Sequence, residues 1–129
     1  MKPCIVLADD EPDLRMLLRA RLVRNGFEVL EADNGITALE LVRRHRPAAV
    51  VLDYRMPGLN GGEVCSLIKA DPALQGTPVM LVTATSQSIG DDADPVRDAD
   101  DVVVKPFEFA DFHRRLERLL QSSTHLSTL

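Results

Sequence analysis

Short apolar runs alternate with amphipathic stretches along the chain. Lys2–Ala8, Phe27–Glu31, Ala48–Asp53, Val79–Thr83 and Asp101–Val104 have the length and composition of strands. Ala48–Asp53 is almost wholly apolar, as expected of a central parallel strand covered on both faces. Helical periods lie between the runs. Over Glu11–Asn25, Leu14, Leu17, Leu18 and Leu22 recur at i, i+3, i+4 and i+8, Pro12 suits the first turn and Gly26 is a stop signal. Asn34 is placed to cap a second helix carrying Ile36, Leu39, Leu41 and Val42, which Pro47 ends. Pro57, Gly58, Gly61 and Gly62 make Met56–Gly62 a loop, and a third helix follows through Val64, Leu67 and Ile68 to about Ala70. Asp71-Pro72 and Gly76-Thr77-Pro78 frame a connecting loop. Phe107–Leu120 predicts a last helix with Phe109, Phe112, Leu116, Leu119 and Leu120 at helical spacing, and Gln121–Leu129 reads as a polar, frayed tail.

This is the pattern of one α/β domain over residues 1–121, with a C-terminal tail at 122–129. Alternating β–α units imply a parallel sheet with helices on both faces and right-handed crossovers. Ligands of such sheets bind outside the carboxyl ends of the strands. The 129 residues suffice for a sizeable core, and 45% hydrophobic with 27% charged residues excludes a disordered chain. No apolar run approaches a membrane span, and Met1-Lys2-Pro3-Cys4 leads into a strand rather than a signal peptide, so a cytoplasmic location is expected. Cys4 and Cys65 lack metal-type spacing and are expected as free thiols. A net charge of −5 argues against a nucleic-acid surface, and Arg15, Arg19, Arg21 and Arg24 are accounted for as solvated helix positions.

The chemistry concentrates at strand ends. Asp9 and Asp10 end the first apolar run, Asp53 the third, Thr83 the fourth, and Lys105 follows the fifth. Alone, Asp9 and Asp10 read better as helix N-terminal charges, Thr83 as an ordinary strand-end residue and Lys105 as a solvated cation. Together they place three carboxylates at one sheet edge, a cluster that is costly without a hard cation, for which Mg²⁺ is the usual occupant. Asp91-Asp92 and Asp100-Asp101 lie in a loop or before a strand and are expected to be solvated, and His45, His113 and His125 to lie on the surface.

The ordered set Asp9-Asp10, Asp53 with Met56-Pro57-Gly58 and Asn60-Gly61, Thr83-Ala84 and Lys105-Pro106-Phe107 resembles the receiver domain of two-component response regulators over nearly the full length. The resemblance implies a flavodoxin-like, doubly wound, five-stranded sheet of order 2-1-3-4-5 with five helices. It implies that Asp53 is the nucleophile that takes a phosphoryl group from a sensor histidine kinase or histidine phosphotransfer protein. It further implies Mg²⁺ held by Asp10, Asp53 and the backbone carbonyl of Arg55, with Asp9 acting through water. Lys105 pairs with Asp53 and then with a phosphoryl oxygen, and Thr83 donates its hydroxyl to another. The Lys105–Pro106 bond is expected to be cis, as in tight turns. Such a domain is no enzyme beyond its own phosphorylation and dephosphorylation. Its downstream partner is an effector protein or output domain, with a second copy of the chain as a further candidate; neither nucleic acid nor membrane is expected. With no output domain after Leu120, the chain reads as a single-domain regulator or a receiver cut from a larger protein.

Two features depart from the family. The aromatic switch position on the fifth strand is Val102, so loop movement at Thr83–Ser88 is expected to carry the signal without an aromatic rotor. The fourth helix should lie within Ser86–Asp98, where Gly90, Asp91, Asp92, Asp94, Pro95 and Asp98 predict a short or irregular element. The resemblance further implies that Arg55 and Thr85, two residues beyond Asp53 and Thr83, flank the path of attacking water and tune phosphoryl lifetime. An aspartyl-phosphate phosphatase of the haloacid dehalogenase type needs a carboxylate where Arg55 stands. A flavin module needs a phosphate-cradling loop where Asp9-Asp10-Glu11 stands. A receiver that binds partners without phosphorylation is the remaining alternative.

Overall fold

The computed structural model describes residues 2–84 and 98–128. Along the chain it forms β1 (Cys4–Ala8), α1 (Pro12–Arg24), β2 (Glu28–Ala32), α2 (Gly35–His45), β3 (Ala49–Asp53), α3 (Gly61–Ala70), β4 (Val79–Thr83), β5 (Asp101–Val104) and α4 (Phe109–Thr128). All neighbouring strands pair in parallel, in the order β2-β1-β3-β4-β5. This is the expected flavodoxin-like arrangement. The fourth element foreseen within Ser86–Asp98 lies, except for Asp98, outside the described residues, as do Thr85 and the rest of the Thr83–Ser88 loop beyond Ala84.

Successive strand residues point to opposite faces, which divides the core in two. Val6, Ala8, Val50, Leu52 and Leu81 pack with Ala38, Leu39 and Val42 of α2 and with Val64, Cys65 and Ile68 of α3. Ile5, Leu7, Val51, Met80 and Val82 pack on the other side with Leu18 and Leu22 of α1 and Phe112 and Leu116 of α4. Burial on both faces explains why the central strands carry no polar residue before their carboxyl ends. Cys4 and Cys65 are free thiols, and burial pushes Cys65 up to about 12.

The helix starts hold the loops that carry the site. Asn34 accepts from the Thr37 amide at 2.8 Å. Asn60 and Glu63 form a reciprocal capping box at 2.8 and 2.9 Å, which fixes the start of α3 just beyond Asp53. Gly61 donates its amide to the Tyr54 carbonyl at 2.7 Å, and a Cβ there would lie 2.5 Å from the Asp53 carbonyl oxygen. Only glycine permits that approach of helix to strand end. Gly61→Ala is expected to cost about 1–3 kcal/mol by forcing the two apart, read as a lower midpoint in urea unfolding; an unchanged midpoint would count against this close-packing account.

Several expectations need correction. Leu17, Ile36 and Leu67, assigned to helix stripes, are 54%, 51% and 41% exposed, because the buried arc of each helix is narrower than its apolar stripe. Residues 121–128 continue α4 rather than fraying: nothing after Pro106 in the chain is Gly or Pro, and extending a formed helix requires no new nucleus. Asp100 and Asp101 are not merely solvated. Asp100 accepts from Lys69 at 2.8 Å and from the Val79 amide at 2.7 Å, and Asp101 pairs with Arg115 at 2.9 Å. His113 is half-buried between the Phe27 and Phe109 rings and pairs with Glu117. Among the described residues no helix is long and apolar enough to cross a membrane.

Candidate functional site: a carboxylate cluster at the sheet edge

Parallel pairing in register delivers the predicted residues to one edge. Ala8 of β1 lies beside Leu52 of β3, so Asp9 and Asp10 leave the sheet next to Asp53. Thr83 of β4 lies beside Val104 of β5, and the Lys105 amide donates to the Thr83 carbonyl at 2.7 Å. The Lys105–Pro106 peptide bond is cis.

One carboxylate oxygen from each of Asp9, Asp10 and Asp53 lies within 4.8 Å of the others. Asp9 and Asp53 are buried at 2% and 5% exposure, while Asp10 is exposed. The Lys105 ammonium lies 3.3 Å from Asp53 and 3.8 Å from Asp9. Thr83 is buried at the adjacent strand end. Arg55 sits in the loop two residues beyond Asp53 with its side chain exposed, outside the carboxylate cluster. Val102 is half-buried beside Leu81 and packs against the α2–α3 side of the core, where it fills space as an aliphatic residue.

The electrostatics follow from this crowding. Burial, then repulsion from Asp9, pushes the Asp53 carboxyl up to about 6 against the pull of Lys105. Burial likewise raises Asp9, with the Glu11 amide and Lys105 opposing. For Lys105, burial works downward, but Asp53, Asp9 and a hydrogen bond to Glu11 together hold it above the usual lysine range. Three hard oxygen donors of high charge density, two of them poorly solvated, form a donor set that fits Mg²⁺.

The Asp53 value has a consequence for stability. Unfolded, the group ionises near 3.8; folded, near 6. Between those values the folded chain keeps a proton that the unfolded chain has released, so stability falls as pH rises through this window and stays low above it. The loss at neutral pH is at most about 3 kcal/mol. In metal-free buffer, Asp53→Asn is therefore expected to melt higher than wild type at pH 7.5, with the gap shrinking toward pH 4.5. Thermal melts at the two pH values check this, and a variant less stable at pH 7.5 would contradict it.

Two contributors escaped the sequence reading. Glu11 accepts from Lys105 at 3.1 Å. Arg15, assigned to a solvated face, instead donates to the Asp9 carbonyl at 2.6 Å and to Glu31 at 3.2 Å, tying α1 to the ends of β1 and β2. The only signal for either was position, in the first turn after the aspartate pair.

The chain is similar to known proteins in sequence and in fold. A family model described as the response regulator receiver domain matches residues 5–117. The DNA-binding response regulator MtrA of Mycolicibacterium smegmatis is 36% identical over 108 residues, covering 84% of this chain and 46% of that protein. The chain spans about half the length of most curated relatives it matches, and 9% of a histidine kinase among them. Among solved structures, the receiver domain of a sensor histidine kinase from Pseudomonas aeruginosa, with a magnesium ion coordinated in its active-site cleft, aligns with a TM-score of 0.85 at 28% identity, covering 94% of this chain and 99% of that one. The response regulator TrrA of Thermotoga maritima, in complex with Mg²⁺–BeF, aligns with a TM-score of 0.82 at 34% identity, covering 92% and 99%. The sheet order, the strand-end carboxylates and these likenesses agree: the chain belongs to the response regulator receiver domain family of two-component signal transduction.

Proposed function

We propose that Asp53 accepts a phosphoryl group from a phosphohistidine of a sensor histidine kinase or histidine phosphotransfer protein, and that the modified domain presents a changed surface to its effector or output domain. The observation that carries this reading is the burial of Asp53 among Asp9, Asp10 and Lys105 at the carboxyl edge of the sheet. An Asp53 carboxylate oxygen attacks phosphorus in line as the phosphorus–nitrogen bond to the imidazole breaks, its electron pair leaving with the ring nitrogen. Asp10, Asp53 and the Arg55 carbonyl would hold Mg²⁺, with Asp9 acting through water. Bound there, Mg²⁺ supplies the positive charge that lets two anions meet. That similar receiver proteins are solved with magnesium supports a magnesium site here.

Lys105 is already in place to follow the phosphoryl group: its ammonium shifts from Asp53 to a phosphoryl oxygen, a point-charge role suited to lysine. Thr83 donates its hydroxyl to another. Thr83 is buried and Ala84 exposed, so a pull on the hydroxyl reaches the surface at Ala84. With an aliphatic Val102, the change leaves the site through Thr83 rather than through a swinging ring. Arg55 and Thr85, two residues beyond Asp53 and Thr83 in the sequence, are assigned to tune hydrolysis of the phosphoryl group. A cavity of about 580 Å³ lined by Leu14, Leu17, Leu18, Pro106 and Phe107 adjoins the site and shares Lys105 with the cluster. Residues 1–121 form the receiver unit, with a cytoplasmic location and the option of self-association. Its catalysis is limited to its own phosphorylation and dephosphorylation.

Incubation with acetyl phosphate and Mg²⁺ tests the reading by intact mass. The expected product is heavier by about 80 Da, the mass of HPO₃, and EDTA prevents it. No adduct, or one indifferent to EDTA, would overturn the reading.

A further inference from the structure

Lys105 is shared with a carboxylate outside the cluster. Its ammonium lies closer to Glu11, at 3.1 Å, than to Asp53 at 3.3 Å or Asp9 at 3.8 Å. The Glu11 side chain is 63% exposed, whereas those of Asp53 and Asp9 are 7% and 3% exposed, so the ammonium is drawn between a solvent-side anion and two buried ones. Glu11 is also fixed by its backbone. Its amide donates to Asp9 Oδ1 at 2.9 Å and its carbonyl accepts from the Arg15 amide at 3.0 Å. The carboxylate therefore projects from a set position at the start of α1.

We propose that Glu11 is a positioning residue that holds the Lys105 ammonium at the rim of the cluster and so keeps it from competing with a divalent cation for the oxygens of Asp53 and Asp9. This rests on the metal-site reading above. A dication and an ammonium in contact with the same oxygens repel strongly where solvent is scarce. With Glu11 neutralised, Asp53 and Asp9 are the carboxylates that remain, among the described residues, to pair with Lys105, and the ammonium settles deeper. Mg²⁺ must then displace it. The effect passes through Lys105, which separates it from the simple loss of one negative charge near the site.

A double-mutant cycle tests this through the binding of Mg²⁺ alone, measured by calorimetry and by the fluorescence of Tyr54. Tyr54 is the chain's one tyrosine, stands next to Asp53, and has no tryptophan to mask it. Glu11→Gln is expected to weaken Mg²⁺ binding about three- to fivefold, the scale of a partly exposed ion pair. Asp13→Asn removes the same charge from the same first turn without touching Lys105, and is expected to change binding by less than about twofold. In a Lys105→Met background, the effect of Glu11→Gln should fall to that of Asp13→Asn. Equal weakening with and without Lys105, or no weakening in Glu11→Gln, would overturn the positioning role while leaving the metal site standing. A wild-type chain that takes up no Mg²⁺ would overturn the site reading itself, and this proposal with it.

Discussion

Asp53→Asn is expected to keep its unmodified mass after incubation with acetyl phosphate and Mg²⁺, under conditions in which wild type gains about 80 Da. The carboxamide is nearly isosteric and preserves the packing of a residue that is 5% exposed, but it lacks the anionic oxygen that attacks phosphorus. In the metal-free cluster a pKa raised to about 6 already leaves most Asp53 ionised at pH 7.5. A bound dication favours the anion further, so wild type retains its nucleophile there. An adduct of equal yield in the variant would move the modification to another residue and remove Asp53 from its assigned role.

Asp10→Asn is expected to lower the rate of phosphoryl uptake about 10²–10³-fold, the scale seen when one preorganised electrostatic contact to a transition state is lost. Asp9 already accepts from the Glu11 amide and Asp53 is paired with Lys105, which leaves exposed Asp10 as the carboxylate at the cluster's open side. Removing its charge should weaken the hold on Mg²⁺ and flatten the dependence of rate on Mg²⁺ concentration. The rate is measured by intact mass against time over a Mg²⁺ series. A variant with the wild-type Mg²⁺ profile would show that the cation is held elsewhere.

The sheet was legible because its strands are unusually plain. Val50, Val51 and Leu52 in β3, and Val79 to Val82 in β4, are continuous apolar runs that only a strand buried on both faces accommodates. The reactive positions were legible for a related reason: a charged or hydroxyl residue ending such a run has to emerge at the sheet edge, where Asp53 and Thr83 do. What escaped depended on geometry that periodicity does not carry. Leu17 and Ile36 fit their stripes as well as Leu18 and Leu39 do, yet the buried arc excludes them. The continuation of α4 past Gln121 has no apolar signal, since it follows from the lack of a stop. Glu11 and Arg15 look like routine first-turn residues, and only the fold reveals that one reaches Lys105 across 94 residues of chain and the other grips the Asp9 carbonyl.

The most direct test of the shared cation site is a crystal of the protein grown with Mn²⁺ as a stand-in for Mg²⁺ and measured for anomalous scattering. A single strong peak bridging the carboxylates of Asp10 and Asp53, with the Lys105 ammonium alongside, is the predicted result. A peak away from those two side chains, or none at Mn²⁺ concentrations that support phosphoryl uptake, would contradict the account.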